Sequence, residues 1–457
     1  MSDFSVDLPE FPKVQYSIKD FGAIGDGNYS NTSEINTAIQ KLAGIGGGTL
    51  NVPRGIWQTG PIELKSNINL HLEDGAYLLF TKNKEEYPLI FTNYEGIPSI
   101  RTLSPIYANH ADNIAITGSG VIDGNGQLWR PVKEFKTTER QWKELLTKSP
   151  YVLDSDEGGI WVPTESIYEG QKKGAVDFED PEALEKAAPY YDLYRPVLLS
   201  LQYCNKILID GVTIQNSPAW NVHPLFCENF TLQYATIRNP FHAQNGDGID
   251  VDSCRNVHIH HCEFETGDDA ICIKSGKNAI ARKLIGPTEN VHIHDCYVGW
   301  GHGGFVIGSE MSRDIRNILV ENCTFVGTDV GIRFKSALGR GGIVENINIR
   351  NINMVDVKNQ AIILTMDYVH NIMNYHETVE DSIDPEDIPM FSDITIDGII
   401  CHGAAIALKI SGLKMDMTTI KNITIKNSSF VSEKDVEVNN AENVIFENVI
   451  INSKEWQ

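Results

Sequence analysis

From residue 205 onward, short runs of alternating apolar and polar residues return again and again, each behind an asparagine or aspartate. The mark falls at Asn205, Asn229, Asn256, Asn290, Asn317 and Asn346, then at Asp393, Asn422 and Asn443. The spacings are 24, 27, 34, 27 and 29 residues, then 47, 29 and 21. Alternation of period two places successive side chains on opposite faces of a strand. A repeat of this length, built from β-branched strands with no helix between them, predicts a parallel β-helix. Helical and leucine-rich repeats need residues this chain lacks; a jelly roll or propeller is the other all-β architecture compatible with short strands. Residues 46–80 and 113–124 show the same strand-and-turn pattern earlier in the chain. Residues 31–42 change period: Ile35, Ala38, Ile39 and Leu42 share one helical face, with Asn31, Thr32 or Ser33 available as N-cap. Such a helix would cover the open end of a solenoid.

Two stretches break the pattern. Residues 130–195 are charged and aromatic, with short helices expected after Thr137 and near residues 181–188. Residues 367–390 are acidic and rich in His and Tyr. Insertions between repeats form walls or lids on one face and often carry function. The expectation is a single all-β domain over residues 1–457, a parallel β-helix with an N-terminal capping helix and two helical or loop insertions.

Within the repeat, one strand recurs with chemistry attached. Ile249-Asp250-Val251-Asp252-Ser253 matches Ile271-Cys272-Ile273-Lys274-Ser275 after 22 residues. Asp247 and Asp269 precede the two strands at the same offset, and Asp268 lies beside Asp269. The strand returns as Phe305-Val306-Ile307-Gly308-Ser309, after Gly301-His302-Gly303, and as Ile332-Arg333-Phe334-Lys335-Ser336. The alternation turns Ile249, Val251, Ile271, Ile273, Ile332 and Phe334 inward. It turns Asp250, Asp252, Cys272, Lys274, Arg333 and Lys335 outward. Rungs about 4.8 Å apart would align three aspartates, a histidine and three cations along one exterior groove.

Composition narrows the classes. The 457 residues carry a net charge of −23, which disfavours nucleic acid as a partner because phosphate binding needs a basic surface. An anionic substrate would therefore need a local patch of cations. No apolar run approaches the length of a membrane span, so no membrane association is expected. No signal peptide is visible at the start of this sequence, leaving the compartment open between the cytoplasm and an exported form. The eight cysteines include no CxxC pair. Cys262, Cys296 and Cys323 each fall six residues after a repeat asparagine, as expected of an inward stack rather than disulfides or a zinc site.

The motifs, in their order, resemble those of family 28 of the glycoside hydrolases, the polygalacturonase family of the pectin-lyase-like right-handed β-helices. Asn245-Gly246-Asp247 corresponds to N-T-D, Gly267-Asp268-Asp269 to G-D-D, Gly301-His302-Gly303 to G-H-G, and Arg333-Phe334-Lys335 to R-I-K. Gly246 and Phe334 depart from the pattern without removing a functional group. The resemblance implies Asp268 as general acid, with Asp247 and Asp269 activating water for inversion at the anomeric carbon. His302 would orient or tune the acid. Arg333 and Lys335 would bind a galacturonate carboxylate, joined by Lys274 and Asn245. His223, after Trp220, would border a subsite, and Tyr368 would stack or hydrogen-bond at the rim. Crowded carboxylates raise at least one pKa, as an acid catalyst requires. No cofactor or metal is implied.

The implied substrate is a pectic oligo- or polysaccharide, polygalacturonate or a rhamnogalacturonan fragment. Insertions able to wall the groove favour an exo-acting galacturonidase, with an endo-polygalacturonase as the alternative. A calcium-dependent pectate lyase would share the fold but use an Arg or Lys base. A non-catalytic carbohydrate-binding β-helix would have no reason to align these charged residues. Either a monomer or a homodimer fits.

Overall fold

The alternating segments become short parallel strands stacked rung upon rung. The structure, a computed structural model, describes residues 4–452 and 454–456 except 175, 285 and 369–383. Among these, an 11-stranded and a 23-stranded sheet wind around one interior, giving the parallel β-helix that the repeat predicts. The register follows the sequence repeat: Ile249 pairs with Ile271, Ile271 with Phe305, and Phe305 with Ile332. Their inward neighbours Val251, Ile273, Ile307 and Phe334 are fully buried. Each such side chain contributes about 1.5–3 kcal/mol relative to exposure, and their stacking continues a core that runs from Ile18 to Ile451.

The asparagine mark has a physical cause. Asn256, Asn290, Asn317 and Asn346 sit at positive φ, a conformation asparagine tolerates better than most residues. Their side-chain amides then donate to the amide oxygen one rung back: Asn290 to Asn256 at 3.0 Å, Asn317 to Asn290 at 3.2 Å, and Asn346 to Asn317 at 2.7 Å. Asn422 donates to Asp393, which explains why an aspartate can interrupt the series. All eight cysteines are buried and free, as their placement in the repeat implies.

The terminal helix spans Thr32–Gly44 and buries Ile35, Ala38, Ile39 and Leu42. Asn31 stands at its N-cap position but does not cap it. Its buried amide instead joins Ile24, Tyr29 and Gln58, tying the helix to neighbouring chain. No helix among the described residues is long and apolar enough to cross a membrane.

The first insertion holds the expected helices, Glu139–Lys148 and Ala183–Ala187, together with a further one at Glu165–Lys173 and a small antiparallel sheet. A second departure is an antiparallel hairpin, Leu89–Tyr94 with Ile97–Thr102, between the two early stretches that carry the alternating pattern. The hairpin crosses the outer face of the 11-stranded sheet. Gln202 donates to Thr92 and to the Asn93 carbonyl, while Glu95 pairs with Lys277 at 2.7 Å. At its tip Gly96 lies so close to the chain that a Cβ would stand 2.4 Å from the Cα of Gly276. Ile100, Ala183, Ala187 and Tyr194 form a satellite core that fixes hairpin and insertion together.

Candidate active site

Four successive strands of the 11-stranded sheet build the site: Ile249–Asp252, Ile271–Lys274, Gly303–Gly308 and Val330–Lys335. The first two put Asp247 and Asp269 at matching ends of adjacent rungs, where the Gly248 N–H donates to the Asp269 carbonyl at 2.9 Å. Gly246 and Gly267 let the two acid-bearing loops meet, because a Cβ on either would collide with Ala243. The threonine that the motif expects at Gly246 would not fit here without movement.

Asp247, Asp268 and Asp269 each place a carboxylate oxygen within 4.8 Å of the other two. Asp268 is the most anchored. Its Oδ2 accepts from the Asn245 N–H at 3.2 Å and its Oδ1 from the Asp269 N–H at 3.1 Å. Nδ1 of His302 stands 3.0 Å from the same Oδ1. By contrast, Oδ1 of Asp247 and Oδ1 of Asp269 are buried with no hydrogen-bond partner among the described residues. Buried carboxylate oxygens left unpaired are costly, and they are what a site that handles water or sugar hydroxyls must keep available.

The environments separate the acids electrostatically. Burial, with Asp250, Asp268 and Asp269 adding repulsion, pushes the Asp247 carboxyl well above its ordinary range. Burial acts in the same direction on Asp268, but contact with His302 and the charges of Lys335 and Lys136 outweigh it and hold that carboxyl below its ordinary range. The two environments thus push the Asp247 and Asp268 carboxyls in opposite directions. Groups this close titrate as one unit, so a bound ligand can relocate the proton.

Cations complete the arrangement. Lys335 reaches back two rungs to place Nζ 2.6 Å from Asp269 Oδ2. Gly303 keeps the intervening rung bare beside Asp269 and Arg333; a Cβ there would stand 3.4 Å from Asp269 Oδ1. Burial works against the Lys335 charge, and Asp269 more than restores it, lifting the ammonium above its usual range. Nη1 of Arg333 lies 4.0 Å from Asp269 Oδ1, with the guanidinium 5.3 Å from the Tyr368 ring centre. Lys274 pairs with Glu310 at 2.7 Å and with Asp250 at 3.7 Å.

Sequence reasoning and structure differ in three respects. Asp250, Asp252 and Lys274 face away from the core as the alternation requires, yet they are buried. His223 shares that outer face but does not line the cleft with the aspartates. It is 1% exposed, edge-on to Trp220, with Nε2 3.7 Å from Asp252, so it supports the wall from behind. The cover over this face is Tyr94 of the hairpin, which stacks on Trp220 at 4.5 Å and is itself held by Arg101. Gly301, beside His302, lets the chain close on itself: a Cβ there would stand 2.9 Å from the Asp268 carbonyl. Asn245 borders the cleft, but its side-chain oxygen accepts from Arg195 at 2.6 Å. Tyr368 lines the cleft as expected, while 369–383 of the second insertion lie outside the described residues.

The repeat concealed one further residue. Lys136, from the first insertion, places Nζ 2.8 Å from Nε2 of His302 and donates to the Gly267 carbonyl. An ammonium only donates, so Nε2 accepts and the ring proton sits on Nδ1, facing Asp268. No periodic signal marks Lys136, since it belongs to no rung. With Lys133, Ser155, Asp156, Glu157 and Ile160 it forms the insertion's side of a cleft of about 540 Å³.

The model of glycosyl hydrolases family 28 matches residues 151–410. An exo-poly-alpha-D-galacturonosidase of Dickeya chrysanthemi is 30% identical over 463 residues, covering 98% of this chain and 73% of the relative. A probable polygalacturonase of Vitis vinifera is 29% identical over 90% of this chain and 74% of its own length. Among solved structures, a hyperthermoactive exopolygalacturonase from Thermotoga maritima superimposes with a TM-score of 0.80 at 31% identity, covering 99% of this chain and 94% of that one.

Proposed function

Since the chain belongs to family 28 of the glycosyl hydrolases, we propose that it hydrolyses α-linked galacturonan from a chain end, releasing galacturonate with inversion. The observation that carries this reading is the aspartate trio, in which Oδ1 of Asp247 and Oδ1 of Asp269 are buried without partners among the described residues, set against fixed cations. Asp268 protonates the leaving glycosidic oxygen. Asp247 and Asp269 hold and deprotonate the attacking water. Arg333 and Lys335 receive the galacturonate carboxylate; a guanidinium offers it two parallel donors. When the substrate carboxylate engages these cations, their pull on the aspartates weakens and burial raises the Asp268 carboxyl. The proton held by the trio then resides where the leaving group needs it.

Nearest oxygens within 4.8 Å make a tighter set than the roughly 6.5–9.5 Å between carboxyl groups usual for inverting pairs. Inversion is the family's general course, and the trio accommodates it if water sits on Asp247 and Asp269 rather than directly between acid and base.

Chain-end action rests on the walls. The hairpin 89–102 lies across the strands that precede the aspartates, is held there by the Glu95–Lys277 pair and lines the cleft with Tyr94 and Glu95. On long polygalacturonate at low conversion, with chelator present, the expected early product is galacturonate monomer without ultraviolet-absorbing unsaturated ends. Mixed oligomers would overturn chain-end action. Turnover lost to chelator, with unsaturated ends formed in its absence, would overturn hydrolysis in favour of calcium-dependent elimination.

A further inference from the structure

On a different sheet from the cleft, two adjacent rungs carry five histidines. The strand Arg255–His260 pairs with Thr288–His294 so that His258 stands against His292 and His260 against His294. Their rings stack nearly parallel, at 9° and 2°, and His261 follows at the end of the first strand. Stacking alone would explain the parallel rings. It does not explain how the ring nitrogens are aimed.

Nε2 of His258 meets Nε2 of His294 diagonally across the rungs at 2.8 Å. The other nitrogen of His294, Nδ1, stands 2.6 Å from Asp295 Oδ2. His292 directs Nε2 at Glu321 Oε1, 2.8 Å away. A carboxylate accepts only, so these contacts place the ring protons of His294 on Nδ1 and of His292 on Nε2. The opposite nitrogens, Nε2 of His294 and Nδ1 of His292, are left with lone pairs. This is the arrangement in which carboxylates orient imidazoles as metal ligands. One ring nitrogen from each of His258, His292 and His294 lies within 4.8 Å of the other two.

We propose that His258, His292 and His294 form a surface site for a late first-row divalent cation, of which Zn²⁺ is the probe. Three neutral imidazoles suit zinc, copper and nickel, and solvent would take the remaining position. His258 moves its proton from Nε2 to Nδ1, and its hydrogen bond to His294 gives way to two bonds to the metal. Nitrogens bound at about 2.0–2.1 Å in tetrahedral geometry stand about 3.3 Å apart, so the 2.8 Å pair opens by a small ring rotation. The ion would then clip one rung to the next, away from the catalytic cleft.

The test is calorimetric titration of the full chain, stripped with chelator and dialysed, with Zn²⁺ at neutral pH. One saturable equivalent is expected. His258→Phe and His294→Phe keep the stacked ring and remove the ligand, and each should weaken binding about 100-fold or more. Asp295→Asn, at an exposed position, should weaken it about tenfold. The unsubstituted protein should also melt at a higher temperature with zinc than without. Absence of saturable binding by the unsubstituted protein would overturn the proposal. So would unchanged affinity in His258→Phe, which would place the ion on His261, His294 and Asp295 instead. Turnover of galacturonan should be the same with and without zinc.

Discussion

Asp268→Asn should lower kcat on polygalacturonate by about 10²–10⁴-fold, the usual contribution of a general acid. The substitution preserves shape. It keeps one oxygen to accept from Asn245 or from Asp269 and His302, where the aspartate serves both sides. One anchoring bond is lost, so the folded protein should persist with slightly reduced stability, which circular dichroism would check. The informative control is a galacturonide with an activated leaving group, which needs no protonation. On that substrate the variant should recover most of its rate. A loss that is equally deep on both substrates would assign Asp268 to water activation and move the acid to Asp247, the carboxyl whose pKa burial raises. A kcat within tenfold of the unsubstituted enzyme would remove Asp268 from the chemistry.

Lys335→Met should be the most damaging change among the cations, because it acts on stability and on binding together. Lys335 and Asp269 side chains are 7% and 1% exposed and meet at 2.6 Å. Breaking a buried pair by removing one partner costs about 3–5 kcal/mol, since the remaining charge is stranded. Arg333, at 4.0 Å, is too distant to replace the bond. On the substrate side, losing the cation proposed to meet the carboxylate should lower kcat/KM by about 100-fold or more, the equivalent of roughly 3 kcal/mol. The double substitution Lys335→Met with Asp269→Asn separates the two effects. It should recover most of the thermal stability, because no charge is left stranded, and none of the activity. If stability stays low in the double variant, the cost arises from packing around the methionine rather than from the ion pair. If Lys335→Met alone keeps full kcat/KM, the carboxylate is bound elsewhere.

The repeat made the fold and most of the site readable because a β-helix converts sequence spacing directly into position. Once Ile249 is matched with Ile271, period two fixes which residues face inward, and rung spacing brings Asp247, Asp269, His302, Arg333 and Lys335 together although 88 residues separate the first from the last. Parity, however, gives the face and not the cover. Asp250, Asp252 and His223 lie on the outward face and are nonetheless buried, because the hairpin and Trp220 close over them. That hairpin was illegible because neither Leu89–Tyr94 nor Ile97–Thr102 alternates apolar with polar residues, and strands paired antiparallel follow no rung repeat. Lys136 was illegible for a related reason: it reaches His302 from an insertion 166 residues away, with no repeat to align it. The histidines at 258–261 and 292–294 were visible in the sequence, but their diagonal pairing depends on the offset between rungs and on Asp295 and Glu321 behind them.

The most direct test of hydrolysis at the aspartate trio is a proton NMR time course on trigalacturonate in deuterated buffer, recorded before mutarotation mixes the anomers. Water delivered opposite an α-linked leaving group, with Asp268 supplying the proton, predicts that the newly formed reducing end appears first as the β anomer. The α anomer appearing first would mean retention through a covalent intermediate. A vinylic proton in place of a new hydroxylated end would mean elimination. Either would contradict the assignment of Asp247, Asp268 and Asp269.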